Sequence, residues 1–191
     1  DNKVYDSRNG CNAVIKTATD TLVLGCKTTI IPTDISAIGE YAFVNGGESI
    51  TIPANITYIG QNAFMKMTQL KNIYITDIAA WCNITFESSN ANPFNQGDRL
   101  FVNGELLTEL IIPDSVTRIN NYAFYNYEGL TYLSLGKGVT SIGNYAFAYC
   151  NGLFDVTIPA NIAFIGNGAF YKCNGLKTIQ YNAVNCADIE N

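Results

Sequence analysis

The sequence predicts a β-solenoid, a single domain in which short strands stack coil upon coil around one apolar core. Three observations predict it. A six-residue phrase occurs five times, a proline closes short β-type runs at a near-constant interval, and apolar residues recur in columns at fixed offsets from that proline.

The phrase reads Ile38-Gly39-Glu40-Tyr41-Ala42-Phe43, then Ile59-Gly60-Gln61-Asn62-Ala63-Phe64. It returns as Ile119-Asn120-Asn121-Tyr122-Ala123-Phe124, Ile142-Gly143-Asn144-Tyr145-Ala146-Phe147 and Ile165-Gly166-Asn167-Gly168-Ala169-Phe170. The proline and its equivalents stand at 32, 53, 76, 113, 136, 159 and 182, with Thr76, Gly136 and Asn182 in place of proline. The intervals are 21, 23, 37, 23, 23 and 23 residues, which predicts about seven coils over 28–182.

Each coil then reads physically. Six residues before the proline runs a leucine column: Leu70, Leu107, Leu130, Leu153 and Leu176. Pairs such as Ile73/Ile75, Leu133/Leu135 and Val156/Ile158 alternate inward with the period of two that a strand requires. Proline has no N–H to extend a ladder, so it makes the corner. Ile35/Ile38, Ile56/Ile59, Val116/Ile119, Val139/Ile142 and Ile162/Ile165 follow it, and the Ala-Phe pair turns the chain back. One coil cannot bury these positions; coils stacked at about 4.8 Å can.

The 37-residue coil is the same coil with 14 extra residues within 83–106. Ala79 and Cys82 take the Val and Ile columns, and Pro93-Phe94 replaces Ala-Phe. Asn103-Gly104 between apolar runs predicts a tight hairpin, expected to project from the solenoid. Residues 1–27 predict a second hairpin, Ala13–Lys16 against Thr21–Leu24, capping the open end of the stack. Residues 183–191 lack a full coil and predict a truncated end.

Composition narrows function. Of the 191 residues 48% are hydrophobic and only 14% charged, against about 25% in an ordinary soluble domain. The surface is therefore built from uncharged polar residues. A net charge of −5 disfavours nucleic acid as partner. The absence of histidine removes His-based catalysis, His metal sites and His pH switches. No apolar run reaches the ~20 residues of a membrane span, and Asp1–Tyr5 is not a signal peptide; a mature or excised portion of an exported protein would begin this way. No metal or cofactor is expected, and the chain is expected to be a monomer.

The motif Leu-x-x-Ile-x-Ile-Pro-x-x-Val-x-x-Ile-Gly-x-x-Ala-Phe-x-x-Cys resembles the leucine-rich repeat of BspA-like bacterial surface proteins, and Leu153 to Cys173 follows it almost throughout. Tyr5–Arg8 with Cys11–Ala13, and Asp77–Cys82, are further stretches similar to that group. The resemblance implies a right-handed leucine-rich-repeat solenoid, display on the bacterial surface or secretion, and binding of host or bacterial macromolecules.

The expected function is non-enzymatic recognition of a protein or glycan, as in adhesion, through the outward face of the strands. That face carries Asn72, Tyr74, Glu109, Tyr132, Phe154, Asp155 and Lys177, aromatic anchors among polar neighbours. Trp81 with Asn103 in the insertion forms a second candidate; on the other reading Trp81 packs the irregular coil. The rivals are a spacer that binds nothing and a carbohydrate-binding module that stacks sugars on Tyr74, Tyr132 and Phe154. Glu105 and Glu109 flank the hairpin and would be the acids of a hydrolase, the least favoured reading. Cys82, Cys150 and Cys173 read as buried thiols. Cys11 and Cys26 face each other if the first hairpin turns at 17–20, so they form either a disulfide or, on the other reading, Cys26 is simply core.

Overall fold

The computed structural model describes residues 2–97 and 99–183. It is a β-solenoid of about six turns with short strands and little helix. Each regular coil contributes three stacked layers. The strand before the proline forms a first ladder and the two-residue strand ending in the Ile column forms a second. The Ala-Phe turns form the third.

The first ladder is parallel. Ser49–Thr51, Asn72–Ile75 and Arg99–Val102 make its N-terminal half. Glu109–Ile111, Tyr132–Ser134, Asp155–Ile158 and Thr178–Tyr181 make its C-terminal half. The second ladder also comes in two parts. Ala37–Ile38, Tyr58–Ile59 and Thr85–Phe86 form one, and Arg118–Ile119, Ser141–Ile142 and Phe164–Ile165 the other. On the turn layer, Phe124 N–H donates to Ala146 C=O at 2.7 Å and Phe147 N–H to Ala169 C=O at 2.8 Å. The Phe124, Phe147 and Phe170 rings stack beneath at 5.3 and 5.4 Å.

The inward columns are buried as their spacing requires, Ile35, Ile38, Ile56, Ile59, Val116, Ile119, Val139, Ile142, Ile162 and Ile165 among them. Leu70, Leu130 and Leu153 are buried, while Leu107 and Leu176, beside the hairpin and at the end of the stack, are half-buried. Asparagines bind coil to coil: Asn144 N–H donates to Asn121 Oδ1 at 2.7 Å and Asn167 N–H to Asn144 Oδ1 at 2.8 Å. That pairing satisfies backbone donors at the turn, where no strand partner exists.

The N-terminal cap is an antiparallel meander of β1 (Tyr5–Asp6), β2 (Ala13–Lys16) and β3 (Thr21–Cys26). β3 then pairs in parallel with Ala37–Ile38 and with Phe43–Asn45, so the cap is continuous with the solenoid. Gly25 permits this, because a Cβ there would lie 2.5 Å from the Phe43 ring. Arg8 ties the cap together, binding Asp6 at 2.7 Å and Asp20 at 2.9 Å, with Asp34 at 3.7 Å.

Four expectations are corrected. The segment around Pro32 forms no strand, so the first rung of the strand ladder is Ser49–Thr51 and the turns number about six. The Asn103-Gly104 hairpin does not project. Its first strand, Arg99–Val102, pairs with Asn72–Ile75 and buries Leu100. An extended apolar run meets an open strand edge there, and pairing satisfies both. Its second strand, Glu105–Leu106, returns antiparallel and separates the two halves of the ladder.

Cys11 and Cys26 are both free thiols. The hairpin starts in the expected register, Lys16 opposite Thr21 and Ile15 opposite Leu22, but a bulge at Val23 then sets Val14 opposite Leu24 and Ala13 opposite Gly25. A one-residue slip reverses which face a side chain takes. Cys11 is buried and Cys26 is exposed, so Cys26 is neither bridged nor core. Finally, Trp81 is not a surface group, as its surroundings show below. The truncated end expected over 183–191 lies, from 184 onward, outside the described residues.

Candidate functional site

The outward side chains of the first ladder come together in two groups. In the C-terminal half, parallel register aligns Glu109, Tyr132, Asp155 and Thr178 in one row, and Ile111 and Ser134 in the next. Tyr132 and Phe154 are each 47% exposed. Lys177 Nζ lies 4.4 Å from the centre of the Phe154 ring, a cation–π contact that holds both side chains in place. Five of the seven strand-face residues singled out from sequence therefore share this half: Glu109, Tyr132, Phe154, Asp155 and Lys177.

Asn72 and Tyr74 stand in the N-terminal half, beyond the hairpin. Tyr74 is half-buried with its ring stacked on Phe101 at 4.8 Å. Asn72 Oδ1 is buried without a hydrogen-bond partner among the described residues. Asn103 sits at the exposed hairpin apex with φ of 52°, followed by Gly104 at 88°. A recess of about 410 Å³ beside the hairpin is lined by Asn103, Glu105, Leu106 and Glu109, so Asn103 lies close to the strand face.

Of the two readings open for Trp81, the structure supports packing of the irregular coil over a place on the surface. It lies in the helix α1 (Ile78–Cys82), capped by Asp77, whose carboxylate accepts from Ala80 N–H at 3.0 Å. Trp81 is 1% exposed, its indole N–H donates to Ala123 C=O at 2.8 Å, and its ring packs on Phe86 and Phe94. Trp81 is therefore a packing residue of the irregular coil, separate from the exposed Asn103.

The buried thiols repeat as the columns do. Cys150 donates to Phe124 C=O at 3.3 Å and Cys173 to Phe147 C=O at 3.1 Å, the same bond one coil later. Burial pushes the Cys173 thiol up to about 11, Cys150 well above its ordinary value, and Cys82 up to about 12. Cys26 shifts the other way because the Thr28 hydroxyl hydrogen-bonds its sulfur.

One surface escaped the sequence reading. Tyr122, Tyr125, Tyr145, Tyr149 and Tyr171 form a continuous ring cluster on the turn layer, with centroid separations of 5.3 to 6.3 Å. Lys172 Nζ caps it, 5.2 Å from the Tyr171 ring. Tyr122, Tyr145 and Tyr149 have φ of 61°, 53° and 62°, a left-handed backbone that costs a bulky residue about 1 kcal/mol. In this cluster Tyr-Ala-Phe carries the signal for Tyr122 and Tyr145 only, and no local pattern says that the tyrosines of successive turns meet.

Stacked coils with leucine and isoleucine columns, proline corners and a strand-lined face define a leucine-rich-repeat solenoid. The chain belongs to the BspA-type leucine-rich repeat family, whose repeat model matches residues 23–92 and 95–191 in six copies. Similar solved structures include a leucine-rich repeat protein from Bacteroides ovatus, at 24% identity and a TM-score of 0.45 over 78% of this chain and 35% of that one. Another is a leucine rich cell surface protein from Faecalibacterium prausnitzii, at 23% identity and a TM-score of 0.55 over 96% of this chain and 56% of that one. The chain thus spans about a third of the first and just over half of the second. No curated protein matches it. The repeat family marks the chain as a binding or structural repeat module and indicates no catalytic family.

Proposed function

We propose that this chain is a non-enzymatic recognition module displayed on the bacterial surface or secreted, which binds a protein or glycan through the C-terminal half of its strand face. The observation that carries the reading is the group formed by Tyr132, Phe154 and Lys177. Two aromatic side chains stand half out into solvent on a rigid ladder, bordered by the Glu109 and Asp155 carboxylates. Anchors already held in position lose little entropy on binding, and aromatic residues ringed by polar ones supply most of the energy at recognition surfaces. Display outside the cell is supported by the family and by a structural neighbour described as a cell surface protein.

The test is retention of the purified chain on an array of matrix proteins and surface glycans, against a Tyr132→Ala, Phe154→Ala variant. A hit lost in the variant supports the reading and identifies the partner class. A hit kept in the variant but lost with Asn103→Ala moves the site to the hairpin recess. No hit at all favours a spacer.

A further inference from the structure

The second ladder is broken where the irregular coil enters. Thr85–Phe86 pairs with Tyr58–Ile59, but the next strand, Arg118–Ile119, does not pair with it. Instead Asn120 N–H donates to the Cys82 carbonyl at 2.9 Å, and the Asn120 side chain donates to Asn83 and Ile84 carbonyls. The ladder therefore takes a step, and the step leaves a groove of about 520 Å³. That volume is within the range of about 300–1,000 Å³ that holds small ligands.

Thr85 and Phe86 wall one end of the groove. Its floor is a row set by parallel register, Arg118 beside Ser141 beside Phe164. At ordinary strand spacing Arg118 and Phe164 stand about 10 Å apart, with the serine hydroxyl between them. Among the described residues, no carboxylate pairs with the Arg118 guanidinium. Phe164 is 44% exposed. A free guanidinium fork, a hydroxyl and an open ring thus lie in line along a groove, on a protein of net charge −5.

We propose that this groove binds a carboxylated sugar, a hexuronate unit of an acidic glycan. The carboxylate would take both arms of the Arg118 guanidinium. The sugar hydroxyls would meet Ser141 and Thr85, and the C–H face of a neighbouring ring would lie on Phe164. Charge complementarity selects the acid; the phenyl ring selects a saccharide over a simple anion. The site is on a different ladder from the Tyr132 and Phe154 face and does not depend on it.

The experiment is calorimetric titration and saturation-transfer NMR with a tetramer of galacturonic acid. A neutral galactose tetramer and a tetraglutamate peptide are run beside it. Arg118 and Phe164 are exposed, so Arg118→Gln and Phe164→Ala are expected to fold, and their melting temperatures are measured first. The expected result is binding of the uronate with affinity reduced about tenfold or more in Arg118→Gln, since one bidentate pair is lost. Arg118→Lys keeps the charge without the fork and is expected to be intermediate. Binding is expected to fall in Phe164→Ala and to be kept in the Tyr132→Ala, Phe154→Ala variant. The proposal is overturned by no binding of the uronate, by unchanged binding in Arg118→Gln, or by equal binding of the neutral tetramer or the peptide. Loss of uronate binding in the strand-face variant overturns it as well, by moving the site.

Discussion

The Cys26 thiol donates to the Asn12 carbonyl at 3.4 Å, which places Cys26 at the rim of the cap beside Asn12. The neighbouring Thr28 hydroxyl stabilises its thiolate, whereas burial suppresses ionisation of Cys82, Cys150 and Cys173. Thiolate is the reactive form. Brief alkylation of the native protein at pH 8, in a Cys186→Ser background, should therefore label Cys26 and spare those three. Peptide mass mapping checks it, and labelling of Cys150 ahead of Cys26 would contradict the structure.

Leu153 is fully buried in the leucine column, one residue before Phe154 on the recognition face. Leu153→Asp puts an unpaired carboxylate into a core shared by several coils. It should cost at least about 4 kcal/mol, a large part of the stability of an ordinary domain. Asp155→Leu, two residues on and facing solvent at the start of the Asp155–Ile158 strand, should change stability by less than about 0.5 kcal/mol. Urea midpoints of the two variants separate the inward position from the outward one.

Gly104 at φ of 88° closes the hairpin that divides the strand face. A side chain there is strained in a left-handed backbone, so Gly104→Ala should destabilise the turn by about 1 kcal/mol. The Leu107 amide, which donates to Leu100 C=O at 2.8 Å, should then exchange faster. Amides of the Tyr132–Ser134 strand should not. Uniform acceleration of both would mean that the hairpin is not a local unit.

Asp6 should make the cap acid-labile. The Arg8 hydrogen bond holds its carboxyl below the ordinary value of 3.8, and Asp20 and Asp34 face the same guanidinium. A carboxyl with a depressed folded value stabilises the fold fully above its unfolded value and loses that contribution as pH falls through the folded one. Below about pH 4 the Thr17 amide, which donates to Val4 C=O, should therefore lose protection before the amides of the repeats do. Asp6→Asn should weaken the cap at neutral pH and flatten this dependence. An acid response in the variant equal to that of the parent would remove Asp6 from the account.

The columns, the corners and the outward rows of the strand ladder are legible in the sequence. A period of two within strands and an interval of 23 between them say which side chains face inward, and burying them requires stacking. The sequence by itself therefore determined a solenoid, its core and the candidate residues Tyr132, Phe154 and Lys177. It could not show that those three share one half of the face while Tyr74 stacks on Phe101 in the other. That division follows from where the inserted strand Arg99–Val102 found a partner, a contact between residues 27 apart that no local pattern encodes. Tertiary structure alone also decided the slip at Val23 that parts Cys11 from Cys26, the burial of Trp81 and the step in the second ladder that opens the groove at Arg118. The reason is the same in each case: periodicity fixes a side chain's direction relative to its own strand, while the neighbour that strand meets is chosen by the packing of the whole stack.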